Sequence, residues 1–213
     1  MGLFSSSKSK SISYTDKVWK ASSFCLKGMM TDALRLITEE TLPIVVPHFS
    51  ESQEKIIQFL SSNNVPYFLI ETGSAAEALS QSQVVYFSSV KFFQSAESVD
   101  FFAKLSSKKP IQLLFYGHYP IPAKEDKLLE RLVNIKSLTT TFYSSLDESS
   151  FEIFGASNII SVMEKLGVKD EESIEHALVA KAMERAREKI ESKVKFEHEA
   201  SSEKEWFQKN VKS

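Results

Sequence analysis

The chain has 213 residues, 42% of them hydrophobic and 25% charged, which suits one ordinary domain, alone or with an appended helical piece, and excludes both disorder throughout and collagen-like order. Twenty-six lysines and arginines against 28 acids leave a net charge of −2, so no bulk positive field exists to attract nucleic acid or anionic lipid. One cysteine, Cys25, four scattered histidines and six glycines exclude an internal disulfide, zinc-ligand spacing and both glycine-rich phosphate cradles, so no cofactor or metal is expected.

The start Met1-Gly2-Leu3-Phe4-Ser5-Ser6 lacks a signal-peptide core; Gly2 with Ser6 fits the short myristoylation pattern, and residues 1–12 read as a flexible tail. No apolar run is long enough to span a bilayer, which predicts a cytoplasmic chain. From Thr15, a plausible N-cap, Trp19, Leu26, Met30, Ala33 and Ile37 recur at steps of three, four and seven and predict an amphipathic helix. Leu42 to Pro47 is a β-branched run between prolines and predicts a strand, after which Ser50 and Gln53 form a capping box and Ile56, Ile57, Phe59 and Leu60 give a helix one apolar face.

The rhythm then repeats. Strands are predicted at Val65–Ile70, Val84–Phe87, Ile111–Tyr116 and Leu138–Tyr143, with helical stretches opened by Ser74 and Glu77, around Glu97–Leu105, and between Ala123 and Val133. Strand alternating with helix is the pattern of a parallel sheet. From Ser149 the pattern is helix only: Ile159–Leu166 stops at Gly167, and Val179, Met183, Ala186 and Ile190 recur at four, three and four as a narrow apolar seam. The layout is therefore a tail over 1–12, an α/β domain over 13–148 and a helical extension over 149–213.

Candidates for chemistry are few. Cys25 sits in a helical pattern without a nearby histidine and reads as core packing. His118 follows the fourth expected strand and His48 the first, at the carboxyl ends where open α/β sheets hold ligands. With Gly73 and Ser88 they would cluster at one edge as a binding cleft, against the plainer reading of turn residues. The carboxylates form no evident dyad, and only Arg35, Arg131, Arg185 and Arg187 are available to clamp phosphate. The Phe92-Phe93 and Phe101-Phe102 pairs read as core or as an interaction surface.

The run Thr141-Phe142-Tyr143-Ser144-Ser145-Leu146-Asp147-Glu148, then Phe151 to Gly155, Val162 to Gly167 and Ile174-Glu175-His176 with Met183 to Ile190, resembles the SecA family of preprotein translocase motor ATPases. The resemblance falls at the end of that family's second nucleotide-binding, RecA-like domain and the start of its long scaffold helix. Weaker likenesses follow in order at Tyr14-Thr15, Pro43–Glu54 and Asn64–Ile70. It implies an α/β fold with a parallel RecA-like, P-loop NTPase-type sheet sandwiched by helices, carrying a C-terminal helical extension.

The departures bear on function. Where the family has a glycine- and arginine-bearing loop that follows nucleotide state, this chain reads Phe87–Ala96; where the family has its finger arginines, it reads His118–Arg131. The resemblance thus implies no catalytic residue, no enzyme activity and a pseudo-ATPase. The expected role is a protein-interaction or scaffold module, with Val179, Met183, Ala186 and Ile190 as partner-binding positions on a protruding helix. The partner would be a translocase, another export component or a second copy, and the site cytoplasmic or peripheral at the inner membrane. The alternative is a nucleotide-binding subunit that completes an ATP site in trans at His48, Gly73 and His118; a nucleic-acid helicase fragment is disfavoured by charge.

Overall fold

The computed structural model describes residues 13–211 except Leu79, Ser82, Ser89 and Gly155; the tail over 1–12, with Gly2 and Ser6, lies outside the described residues. Six strands, β1 (Tyr14–Trp19), β2 (Leu42–Pro47), β3 (Tyr67–Ile70), β4 (Val85–Ser88), β5 (Ile111–Tyr116) and β6 (Leu138–Ser145), form one sheet in the order β1-β6-β5-β2-β4-β3. Every neighbouring pair is parallel, so each strand returns through a crossover segment, and the carboxyl ends share one edge.

The central strands β2 and β5 are almost wholly apolar because both faces are covered. Ile44 and Val46 of β2 point to one core, with Tyr86, Leu113, Phe115 and Phe142. Val45 points to the other, with Val85, Phe87, Leu114 and Tyr143. Helices α1 (Ser22–Thr38) and α2 (Ser50–Ser62) cover the second face through Met29, Ala33, Ile56 and Leu60. The first is covered by α5 (Glu97–Ser106) and α6 (Pro122–Glu130), with the short α3 (Ala75–Ala78) and α4 (Val90–Gln94) alongside. Phe92, Phe101 and Phe102 are core residues packed edge to face; the Phe93 side chain lies outside what the structure describes. Each such ring contributes roughly 1.5–3 kcal/mol by leaving water.

The first expected helix is corrected. Thr15 is no N-cap: Tyr14–Trp19 is a strand in register with Thr140–Ser145 of β6, and α1 begins at Ser22. The helical steps through Trp19 were coincidental, because aromatic and β-branched residues such as Tyr14, Thr15, Val18 and Trp19 favour a pleated surface. Nor is there a capping box at Ser50, whose hydroxyl instead donates to the Ser201 carbonyl at 3.3 Å.

The extension does not protrude. It comprises α7 (Ser149–Phe154), α8 (Ala156–Lys165), α9 (Ala177–Lys193) and α10 (Glu203–Asn210), and it packs back on the sheet. Gly167, at φ +71°, follows α8 as a left-handed cap that a side chain would strain. Ile174 then pairs antiparallel with Val18, exchanging backbone bonds of 3.1 and 2.9 Å, and so covers part of the outer edge of β1. After α9 the chain turns, and Trp206 and Phe207 of α10 close on Phe49 and Ile190.

Gly28 shows how tight the α1 face is. An added Cβ would lie 2.3 Å from Trp19 Cζ2, and Trp19 cannot move cheaply: it stacks on Tyr143 at 5.8 Å and donates from Nε1 to the Glu171 carbonyl at 3.2 Å. Alanine ordinarily favours a helix over glycine by up to about 1 kcal/mol, but overpacking costs about 1–3 kcal/mol. Gly28→Ala is expected to lower stability in urea titration despite its helical position.

Candidate functional site

The carboxyl edge of the sheet carries the groups of interest. His48 follows β2 and His118 follows β5 after Gly117, whose φ is +77° and whose N–H donates to the Tyr143 carbonyl at 2.8 Å. The structure brings the two histidines together on one carboxylate. His118 Nδ1 lies 3.0 Å from Glu125 Oε1 and its Nε2 2.9 Å from Asp16 Oδ1. His48 Nε2 lies 3.5 Å from Glu125 Oε2. Glu125 also accepts the Tyr119 N–H at 3.0 Å and the Arg187 guanidinium at 2.6 Å. Gly73 and Ser88 do not join this group: the Gly73 N–H donates to Glu97 at 2.8 Å near the far edge strand β3, and Ser88 is buried at the end of β4.

All four charged members are withdrawn from water, their side chains being 2% (Glu125), 7% (His118), 9% (Arg187) and 10% (Asp16) exposed. Burial alone would push the Glu125 carboxyl up, yet His118 and Arg187 outweigh it and hold Glu125 well below the usual carboxylate range. Burial would lower His118, but Glu125 and then the hydrogen bonds to Asp16 and Glu125 carry it above the ordinary histidine value. His48 goes the other way: burial dominates and holds it low, as a neutral ring stacked on Phe115 at 5.3 Å. Aromatic neighbours also flank His118, which lies flat on Phe142 with centroids 4.1 Å apart.

Beside this network opens a cleft of about 380 Å³ whose lining includes Glu51, Asp147, Glu148, Glu203, Lys55 and Lys204. Helix starts converge on it, and the chain's own oxygens meet their N–H groups. Asp147 accepts from Ser22 N–H of α1 at 3.0 Å, the Ser201 carbonyl from Glu51 N–H of α2 at 3.0 Å, and Glu203 from Ser149 and Ser150 N–H of α7 at 3.3 and 3.2 Å. Lys55 pairs with Glu51 at 2.6 Å. Glu148 accepts the Ser145 N–H at 2.7 Å, but burial and the nearby Glu203 charge drive its carboxyl well above the ordinary value. No arginine lines the cleft among the described residues; Arg131 donates to the Ser95 carbonyl at 2.7 Å.

The expected partner seam is corrected. Val179 and Met183 are buried against Val18, Leu146, Phe151 and Ile174 of the same chain, and Ile190 against Phe49 and Trp206. Ala186 is only half-buried, and the buried position between Met183 and Ile190 is Arg187. Apolar periodicity passes over an arginine and runs through Ala186 instead. Glu125, Asp16 and Arg187, which organise the site, carried no local signal: they stand 7, 102 and 62 positions from their partners. The one usable hint was an arginine scarce elsewhere in the chain.

With the geometry in view, comparison with known proteins gives a partial answer. No family model matches the chain. The SecA protein translocase subunit of Sulfurimonas denitrificans is 50% identical over 54 residues, which is 25% of this chain and 6% of that protein. The SecA subunits of Acidithiobacillus ferrooxidans and Helicobacter pylori are 47% and 50% identical over 55 and 54 residues, again 6% of each. Over that quarter the chain is homologous to SecA. The matched stretch spans only about 6% of the length of these relatives. Among solved structures, the C-terminal part of the Fun30 ATPase domain superposes with a TM-score of 0.44 at 8% identity, over 78% of this chain and 54% of that one.

Two glutamates at this edge should respond to neutralisation with opposite signs. Glu125 lies below its unfolded value, so its contribution is full above about pH 4.5 and lost as pH falls through the depressed value; Glu148 lies above 4.5, so its charge costs stability increasingly as pH rises. At pH 7.5, Glu125→Gln is expected to cost about 3–5 kcal/mol, the range for breaking a buried pair. Glu148→Gln should raise the melting temperature, and the gain should vanish below pH 4.5. Thermal melts of both variants from pH 4 to 8 check this.

Proposed function

We propose that this chain is a degenerate relative of the SecA second nucleotide-binding domain with the start of the helical scaffold, catalytically inactive, serving as a protein-interaction or scaffold module in protein export. The observation that carries the reading is the state of the carboxyl edge. In parallel α/β sheets, ligand phosphates sit at helix starts on this edge, held by free N–H groups and cations. Here Asp147, Glu203 and the Ser201 carbonyl take those N–H groups. A polyphosphate entering the cleft would meet Glu51, Asp147 and Glu203 beside Lys55, Lys204 and His118, with Lys55 already paired to Glu51 at 2.6 Å and His118 to Asp16 and Glu125.

A nucleotide entering here would find the helix-start N–H groups and the nearest cations already taken, which supports the inactive reading. Several kcal/mol of transition-state stabilisation in phosphoryl transfer comes from cations on the migrating group, and here Lys55 and His118 are already paired with the chain's own carboxylates. The SecA likeness supports export as the setting. Among the described residues no helix is long and apolar enough to cross a membrane. SecA itself, another export component or a second copy are the candidate partners.

Calorimetric titration with Mg-ATP and Mg-ADP tests the inactive reading. The expected result is no binding heat up to millimolar nucleotide. Saturation at micromolar concentration would overturn it and favour a subunit that completes an ATP site in trans. Sedimentation of the chain alone and with purified SecA tests the interaction half: a faster boundary in either sample supports it, and unmixed monomeric boundaries in both remove these two partners.

A further inference from the structure

A neutral imidazole carries one N–H and one bare nitrogen; only the imidazolium has two donors. His118 places both ring nitrogens against carboxylate oxygens, Nε2 at 2.9 Å from Asp16 and Nδ1 at 3.0 Å from Glu125. Neither Asp16 nor Glu125 can donate while ionised, so both contacts are hydrogen bonds only when His118 holds two protons. The Glu125 oxygen that receives Nδ1–H also receives Arg187 of α9 at 2.6 Å. Arg187 in turn donates from Nε to the Tyr119 carbonyl at 3.2 Å. Two buried positive and two buried negative charges thus join β1, α6 and α9, and the middle of α9 is fastened through a carboxylate that His118 orients.

We propose that His118 is a proton-operated latch on the α9–α10 arm: doubly protonated it completes the network that holds Arg187, and on losing one proton it leaves Asp16 or Glu125 without its donor and loosens the arm. What the arm covers gives the latch a consequence. Val179, Met183, Ile190 and Trp206 are buried by its docking and become accessible when it lifts. The proposal stands on the network itself and holds whether or not the chain serves in export.

Other titratable groups face the ring. Tyr14 of β1 lies edge-on with centroids 6.1 Å apart, and burial followed by the Asp16 charge pushes its hydroxyl up to about 12, so it stays protonated in any ordinary buffer. His48 approaches the far oxygen of Glu125. Glu148 and Arg187 share a small gap with His118 and Met183, and Asp126 follows Glu125 on α6. Because His118 is held above its ordinary 6.5, its contribution is full below that value and is lost as pH rises through the elevated one. His48, held below 6.5, titrates on the acid side; Glu148, raised by burial and the Glu203 charge, ionises at higher pH than an ordinary carboxyl, so the profile is repeated in Glu148→Gln, where the His118 slope should persist.

The test uses the whole chain. Nitrogen shifts of the imidazole at pH 7, assigned by their loss in His118→Gln, should show both nitrogens protonated; a neutral tautomer at pH 7 overturns the proposal. Amide exchange over residues 177–210, corrected for intrinsic rates, is then followed from pH 6.5 to 9.5. Arm opening should rise about tenfold per pH unit once His118 deprotonates, the slope of a single proton, while amides of β2 and β5 stay protected. A flat profile in the unaltered chain overturns it.

His118→Gln should open the arm already at pH 6.5 and abolish the slope. If that variant does not fold, Asp16→Asn serves: asparagine can donate to a neutral His118 while Nδ1–H still reaches Glu125, so its arm should stay closed across the range. A rise in Asp16→Asn equal to that of the unaltered chain sinks the idea.

Discussion

A single buried carboxylate organises the carboxyl edge of this fold. Glu125 receives Arg187, His118 and the Tyr119 N–H within 3.0 Å, and those partners come from α9 and from the loop that leaves β5. An uncompensated carboxylate at that depth would cost several kcal/mol, and its ionised state persists because two cations face it. The consequence reaches outward in steps. With Glu125 fixed, Tyr119 is fixed, and its ring stacks on Phe49 at 5.8 Å and meets Trp206 at 6.3 Å. Glu197 then ties the Tyr119 hydroxyl, Trp206 Nε1 and Lys124 together, which sets where α10 lies.

The position of α10 in turn decides the character of the cleft. Its leading turn delivers Ser201, Ser202 and Glu203 to the starts of α2 and α7. Helix starts are positive ends and attract whatever negative group is near. In this chain that group is covalently attached, so a free anion competes with an intramolecular one for the same N–H groups. Glu203 and Asp147 take N–H groups at the starts of α7 and α1, so a free anion arriving there would meet occupied donors and like charge together.

Much of the fold is legible from sequence because parallel strands buried on both faces are rich in apolar and β-branched residues. Leu42–Pro47 and Ile111–Tyr116 show it through their apolar runs and Leu138–Tyr143 through its threonines and aromatics, and Gly167 marks a helix end through the backbone freedom a left-handed cap requires. β1 was missed because an edge strand is only half covered: its burial runs from exposed at Tyr14 to buried at Trp19, and a sparse apolar pattern matches more than one period. His48 and His118 were placed at the correct edge by topology alone. What joins them was not legible, since Asp16 is 102 positions from His118 and Arg187 is 62 from Glu125, and an ion pair between distant elements leaves no trace in local spacing.

Buried ion pairs seldom stabilise a protein more than well-packed apolar residues of the same volume would, so the network is better understood through what it specifies. The buried apolar positions of α9 are Val179, Met183 and Ile190, with Ala182 half-buried beside them. A seam of that kind grips nearly as well if the helix slides by one turn of 5.4 Å. Arg187 does not tolerate the slide: its terminal nitrogen must meet Glu125 while Nε meets the Tyr119 carbonyl, two directions that only one axial position satisfies. The same residue that an apolar count overlooked is therefore what gives α9 a unique register, much as one polar residue in a coiled-coil seam fixes alignment at a cost in stability. Because that register depends on charges rather than on packing alone, it also responds to their protonation, which a purely apolar seam could not do.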